Sequence, residues 1–198
     1  MSTFKTIIGG IDLANTEKNP TGWALLKDKF ISTCQVYLDQ EILNKIRDNA
    51  PALVAIDAPL SLPKKKEFTR KADREMHKKG YPVLPPRFRT MEKLTLRAIK
   101  LKQQILSQGV KVIEVHPTST RKALKMPIKD WRNIQTTFVV MGLEGDVKTR
   151  TLTSHEIDAA TAALTGQLYL KGKTELIGDK IEGFIAVPAV SDWRSLKL

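Results

Sequence analysis

Ile7-Ile8-Gly9-Gly10-Ile11-Asp12-Leu13-Ala14 is an apolar run without polar alternation, the pattern of a strand buried on both faces. At its end stands an acid that packing alone does not require. An ionised carboxylate is costly to bury unless a cation or hydrogen-bond donors meet it. Gly9 and Gly10, just before it, let a neighbouring element or a ligand come close. Taken alone, Asp12 reads more readily as a cap for the following turn. Its meaning depends on where the chain's other acids fall.

Leu53-Val54-Ala55-Ile56-Asp57-Ala58-Pro59 is a second apolar run ending in an acid, and Val110-Lys111-Val112-Ile113-Glu114-Val115-His116-Pro117 is a third. Between the first two lie turn formers over 15–22 and two strand-like segments, 23–26 and 31–38, joined by Lys27-Asp28-Lys29. A short helix follows, opened by Asp39, with Ile42, Leu43 and Ile46 as its apolar face. These features predict an antiparallel meander. A crossover then sets the second acidic strand parallel to the first and beside it. Adjacent strands lie about 4.8 Å apart, so Asp12 and Asp57 at matching ends can share a ligand. The same reasoning makes the third run another parallel strand.

Thr90 is expected to cap a long helix reaching Gln108, with a core stripe of Met91, Leu94, Ala98, Leu101 and Ile105. A short helix should run from Thr118, Ser119 or Thr120 to Lys125. Another should span 129–141, burying Trp131, Ile134, Phe138 and Met141, and residues 142–150 read as a loop. In Thr153-Ser154-His155-Glu156-Ile157-Asp158-Ala159-Ala160, Thr153 and Glu156 form a capping box. His155 and Asp158 share a face of that helix, and its alanines allow close packing on a sheet. Residues 181–188 are expected as an edge strand.

Asp12, Asp57, Glu114 and Asp158 thus form the main constellation, with His155 and His116 nearby in sequence. In open parallel sheets, sites form at the carboxyl ends of strands. Converging carboxylates repel one another unless a divalent cation neutralises them, which implies Mg2+ or Mn2+. Two such ions about 3.5–4 Å apart would clamp the attacking and leaving oxygens of a phosphodiester.

The length of 198 residues suits one domain, 1–198, and one cysteine, Cys34, excludes an internal disulfide. No run is long and apolar enough to span a bilayer, and the N-terminus lacks signal-peptide anatomy, so a cytoplasmic protein with no membrane association is expected. The net charge of +12 favours an anionic partner, nucleic acid before an acidic membrane surface. Residues 61–90 concentrate that charge and read as a basic insertion within the domain. A polar helix over 69–79, facing solvent or a partner, is expected inside it. Lys64, Lys65, Lys66, Arg70, Arg74, Arg87 and Arg89 are candidate nucleic-acid contacts, continued by Lys93 and Arg97 on the long helix. That helix stripe reads equally as a solvated face. Tyr81, Phe68 and Phe88 lie among these charges and either stack on bases or, as is commoner, pin the insertion to the core. Gly172-Lys173-Thr174 mimics the end of a phosphate loop, but the glycine spacing and a preceding helix rule that motif out.

With these motifs in hand, the chain resembles the RNase H-like fold and, within it, the Holliday-junction resolvase branch, through Gly10-Ile11-Asp12 and His155-x-x-Asp158-Ala159. It is more closely similar to the domain-of-unknown-function family 429, described as predicted nucleases. The matching pieces include Ile11-Asp12-Leu13-Ala14 with Thr21-Gly22-Trp23-Ala24, Ala55 to Ser61, Asp73-Arg74-Glu75, Pro85-Pro86 and Glu114-Val115-His116-Pro117. The resemblance implies a mixed five-stranded α/β sheet, meander plus parallel strands, flanked by helices, with the basic insertion after the fourth strand. It also implies a metal-dependent nuclease acting on DNA or RNA. Asp12 would be the central metal ligand, Asp57 the fourth-strand acid, Asp158 the helix acid, and His155 a ligand or a positioner of the attacking water. The fourth-strand acid is Asp rather than the resolvase Glu, which shortens its reach. Glu114 is either a compensating catalytic ligand or a salt-bridge partner of the insertion. Two rivals remain: a non-catalytic nucleic-acid-binding protein of the same fold, and a sugar-kinase or actin-like phosphotransfer protein, which would need a second glycine-rich loop.

Overall fold

The computed structural model of the protein describes residues 6–64 and 67–196. Lys65 and Lys66, two of the expected nucleic-acid contacts, lie outside the described residues. The chain opens with the meander: β1 (Ile7–Asp12), β2 (Thr21–Lys27) and β3 (Phe30–Val36) pair antiparallel in sequence. Helix α1 (Asp39–Asn49) crosses to β4 (Leu53–Asp57), which lies parallel to β1 as the crossover argument requires. Helices α2 (Lys71–Lys78) and α3 (Met91–Ser107) follow, then β5 (Lys111–Val115), parallel to β4. After it come α4 (Pro117–Ala123), α5 (Trp131–Val140), the two-residue β6 (Glu144–Gly145) and α6 (Asp146–Thr149). Helix α7 (Ser154–Leu170), β7 (Thr174–Asp179) and β8 (Gly183–Pro188) complete the order.

The sheet has eight strands, not five, in the order β6-β3-β2-β1-β4-β5-β8-β7. The expected five form its centre. The 181–188 run is not an edge: β8 lies between β5, to which it is parallel, and β7, which turns back antiparallel to form the true edge. Ile177 is the one buried residue of β7, so that strand carries too little apolar signal to stand out. The expected loop over 142–150 contains β6, which extends the other edge by pairing with β3, and α6.

Helices cover both faces. On one, Ile11, Trp23, Val54 and Ile56 pack against Ile42 and Ile46 of α1 and Ala98, Leu101 and Ile105 of α3. On the other, α7 lies so close that a methyl group added to Gly10 would run into the Ala159 carbonyl, and one added to Gly22 into the His155 carbonyl. The glycines admit a helix rather than a ligand, and Ala159 and Ala163 keep its underside flat.

Several helix starts differ from expectation: α4 begins at Pro117 with His116 as its cap, not at Thr118, Ser119 or Thr120, and α1 and α3 differ as well. Asp39 does not cap α1; the Glu41 carboxylate accepts the Tyr37 and Leu38 amides at 2.7 and 2.9 Å instead, and Asp39 accepts from Arg97. Thr90 precedes α3 without a side-chain cap bond. At α7 the expected capping box is present: Glu156 accepts the Thr153 amide at 3.0 Å while Thr153 Oγ1 accepts the Glu156 amide.

The insertion is tied down. Ala72 and Met76 of α2 bury with Tyr81, Val83, Ile177 and Ile185, so the polar helix covers the β7 edge rather than facing solvent. Tyr81 is a core pin, whereas Phe68 and Phe88 are 67% and 49% exposed. Glu182 accepts the Lys64 and Lys71 amides, each at 2.7 Å.

Candidate active site

Asp12 and Asp57 are the last residues of adjacent parallel strands and pair with one another in register. Side chains alternate along a strand, so both point to the face on which α7 lies. The first turn of α7 is held by its capping box and by the Gly10 and Gly22 contacts, which deliver His155 and Asp158 over the same strand ends. His155 Nδ1 is 2.7 Å from Asp12 Oδ2. That hydrogen bond is the main reason the imidazole is held above its ordinary pKa, against partial burial. Asp57 is pushed well above the usual carboxylate range, by burial first and then by the charges of Asp12 and Asp158. Asp158 is also raised, by burial and by Asp12, with Arg121 working against the shift.

Arg121 is a site neighbour that no sequence pattern singles out. It lies on α4, is buried, and places Nη1 2.5 Å from Asp158 Oδ1. Its guanidinium stacks on the Trp131 ring, 5.4 Å from the centroid; Trp131, expected in the core of α5, is 37% exposed. Arg121 stands beside Asp158 as a fixed internal cation. One basic residue among 33 carries no mark of this role; only its place just after the Glu114-Val115-His116-Pro117 run hints at it.

Glu114 does not join the cluster. It pairs in register with Ile56, one position out of phase with Asp57, and therefore points to the opposite face of the sheet. There its two oxygens accept Arg70 at 2.6 and 2.7 Å, and one also accepts the Leu60 amide. Of the two sequence readings of Glu114, the salt bridge to the insertion is the one formed.

Arg70 likewise departs from the expected nucleic-acid set. It is 1% exposed and also bonds Asp73 and Ser61. Arg97 is turned inward too, holding Asp39 and the Ala14 and Tyr37 carbonyls. Lys64, Arg74, Arg89 and Lys93 are exposed, Arg74 in an ion pair with Glu67, and Arg87 is half-buried.

His116 sits at the start of α4, where its Nδ1 accepts the Ser119 amide and lies 2.7 Å from Ser119 Oγ. Burial, with the nearby Arg121 charge, lowers its pKa to about 4. The ring is thus neutral at physiological pH, with its proton on Nε2.

The carboxylates fit a hard divalent cation in kind, and the raised Asp57 marks a place where added positive charge would be favourable. Among the described residues, however, no three acidic, histidine or cysteine side chains stand close enough to hold an ion as they are arranged. Asp12 is engaged by His155 and Asp158 by Arg121.

Residues 10–128 match the family described as "Protein of unknown function (DUF429)". The chain belongs to that family. Its fold is RuvC-like: a Thermus thermophilus RuvC structure aligns with TM-score 0.51 and 17% identity over 84% of this chain and 96% of that one. T. thermophilus RuvC in complex with a Holliday junction substrate aligns with TM-score 0.50 and 18% identity over the same shares. Among curated proteins no relative matches. No helix among the described residues is long and apolar enough to cross a membrane.

Proposed function

We propose that this member of the DUF429 family is a metal-dependent nuclease that hydrolyses phosphodiester bonds of DNA or RNA, with Asp12, Asp57 and Asp158 as the metal ligands. The observation that carries the reading is the in-register pair Asp12 and Asp57 facing the first turn of α7, which crowds three carboxylates and drives the Asp57 carboxyl upward. A bound Mg2+ or Mn2+ would neutralise that crowding and polarise a phosphoryl oxygen. His155 orients Asp12 and carries a proton at Nδ1 between them. Arg121 holds Asp158 and limits the negative charge of the pocket. Glu114 serves at one remove, anchoring Arg70 and with it the insertion.

Lys64, Arg74, Arg87, Arg89 and Lys93 are the proposed phosphate contacts, consistent with the +12 charge. The RuvC relative seen on a Holliday junction supports nucleic acid as the partner class. Cleavage of labelled DNA and RNA with Mg2+ or Mn2+, wild type against Asp12→Asn, tests the proposal. Metal-dependent cleavage lost in the variant is the expected result, and cleavage that persists rejects Asp12 as a ligand.

The bonds already made by Asp12 and Asp158 favour one rival, a nucleic-acid-binding protein of the same fold that needs no metal. Steeply salt-dependent binding without cleavage under either metal would establish it.

A further inference from the structure

Beside the carboxylates, at the carboxyl ends of β1, β4 and β5, lies a cavity of about 240 Å³. Asp12, Asp57 and His116 lie on its polar side, while Leu13, Val83, Leu84, Met91 and Leu94 supply an apolar wall. The wall is built largely by the end of the insertion and the start of α3. Pockets for drug-sized ligands run to roughly 300–1,000 Å³, so this one suits a single ring system, and a duplex cannot enter it.

Where no cation is held, its electrostatics disfavour an anion as the occupant. Among the described residues the one cation lining it, Arg70, is fully engaged by Asp73, Glu114 and Ser61, while several carboxylates line it. A neutral, flat, partly polar group fits instead. His116 offers it a donor: Nδ1 is committed as acceptor to Ser119, which leaves the proton on Nε2, and no hydrogen bond to Nε2 is seen among the described residues. A second observation comes from the insertion's surface. Phe88, half-exposed between Arg87 and Arg89, and Phe68, more exposed still, stand in a basic segment. Aromatic side chains interleaved with positive charge are stacking platforms for unpaired bases.

We propose that this cavity receives one unstacked nucleobase of a nucleic-acid strand whose backbone passes the Asp12–Asp57–Asp158 cluster. The inference rests on the nucleic-acid reading above and narrows its substrate to single-stranded or locally unpaired regions. Enzymes acting on unstacked nucleotides hold the extruded base in this manner, between apolar side chains and a few hydrogen-bonding groups.

The test is equilibrium binding in EDTA, which prevents cleavage. The probes are a labelled 12-nucleotide single strand, the same strand with abasic sites, the blunt duplex, and free nucleoside monophosphates. The full chain should bind the intact strand at least about ten-fold tighter than the duplex or the abasic strand, and the monophosphates far more weakly still. Leu84→Glu, at a wall position 56% exposed and so tolerant of charge, should remove most of that preference. Leu106→Glu, which adds the same charge at an exposed site on α3 outside the cavity lining, should leave the preference intact.

Equal affinity for strand, duplex and abasic strand would overturn the inference, as would equal effects of the two variants or monophosphates binding as tightly as the strand. Cleavage is scored separately with metal. Hydrolysis without base dependence would sink this inference and spare the nuclease reading, whereas base-dependent binding without hydrolysis would do the reverse.

Discussion

The His155 imidazole and the Asp12 carboxylate, 143 residues apart in sequence, meet at 2.7 Å between Nδ1 and Oδ2. A carboxylate so held loses rotamer freedom before any ligand arrives. Groups that orient a metal ligand typically contribute 10–100-fold to metal affinity or activity.

His155→Ala is therefore expected to lower metal-dependent cleavage by about 10–100-fold. His155→Gln, which keeps an N–H donor for Asp12, should recover part of the loss. Metal affinity followed by calorimetry separates positioning from a merely structural role, since His155 is substantially exposed and its removal should hardly move Tm. Unchanged metal affinity in His155→Ala would reject the positioning role.

Asp57 lies among like charges, and its raised pKa follows from burial with Asp12 and Asp158 close by. A site that crowds charge for function stores instability. Asp57→Asn should stabilise the metal-free protein by about 1–2 kcal/mol, roughly 2–8 °C in Tm for a chain of this size. Mg2+ or Mn2+ should raise the Tm of the wild type and not of the variant. A variant less stable than wild type in EDTA would show that the carboxylate is already compensated without metal.

Gly10 sets the distance between β1 and α7. A methyl group there meets the Ala159 carbonyl, the Ala163 amide at 2.6 Å and its Cβ at 2.9 Å, so backbone rather than flexible side chain must yield. Gly10→Ala should cost about 1–3 kcal/mol or more as overpacking. By lifting the helix it should also separate His155 and Asp158 from Asp12. Denaturant unfolding gives the first effect, and loss of the upward His155 pKa shift, read by NMR titration, gives the second. Full stability with the His155 pKa still raised as in the wild type would show that the helix is not fixed by this contact.

Asp12, Asp57, His155 and Asp158 were legible because each stands where a pattern breaks: an acid closing an apolar run, or a polar pair opening an alanine-rich helix. Glu114 closes its run in the same way and still belongs elsewhere, since a shift of one residue in strand register turns a side chain to the other face. Register depends on pairing with β4, which sequence spacing does not give. Arg70 and Arg121 were opaque for another reason. A buried arginine and a surface arginine look alike until the acids they neutralise, Glu114 and Asp158, are placed in space. Strands β6 and β7 escaped notice because β6 has two residues and β7 buries one.

Glu156, next to the candidate site residue His155, provides a pH test of the scaffold. Burial alone would raise its carboxyl, but hydrogen bonds from Arg150 and from the Thr153 amide and hydroxyl outweigh burial and hold it below 4.5. A carboxyl whose folded pKa is depressed contributes stability that is present above its unfolded pKa. That contribution is lost as pH falls through the folded value. Glu156→Gln should thus be less stable than wild type by about 1.5–3 kcal/mol at neutral pH, the range for a hydrogen bond to a charged partner. The difference should shrink steadily as the pH drops below 4.5. Urea unfolding of both proteins across that window checks the sign. A difference that stays constant with pH would mean that the amide loses packing or geometry rather than charge, and that Arg150 is not what holds the start of α7 in place.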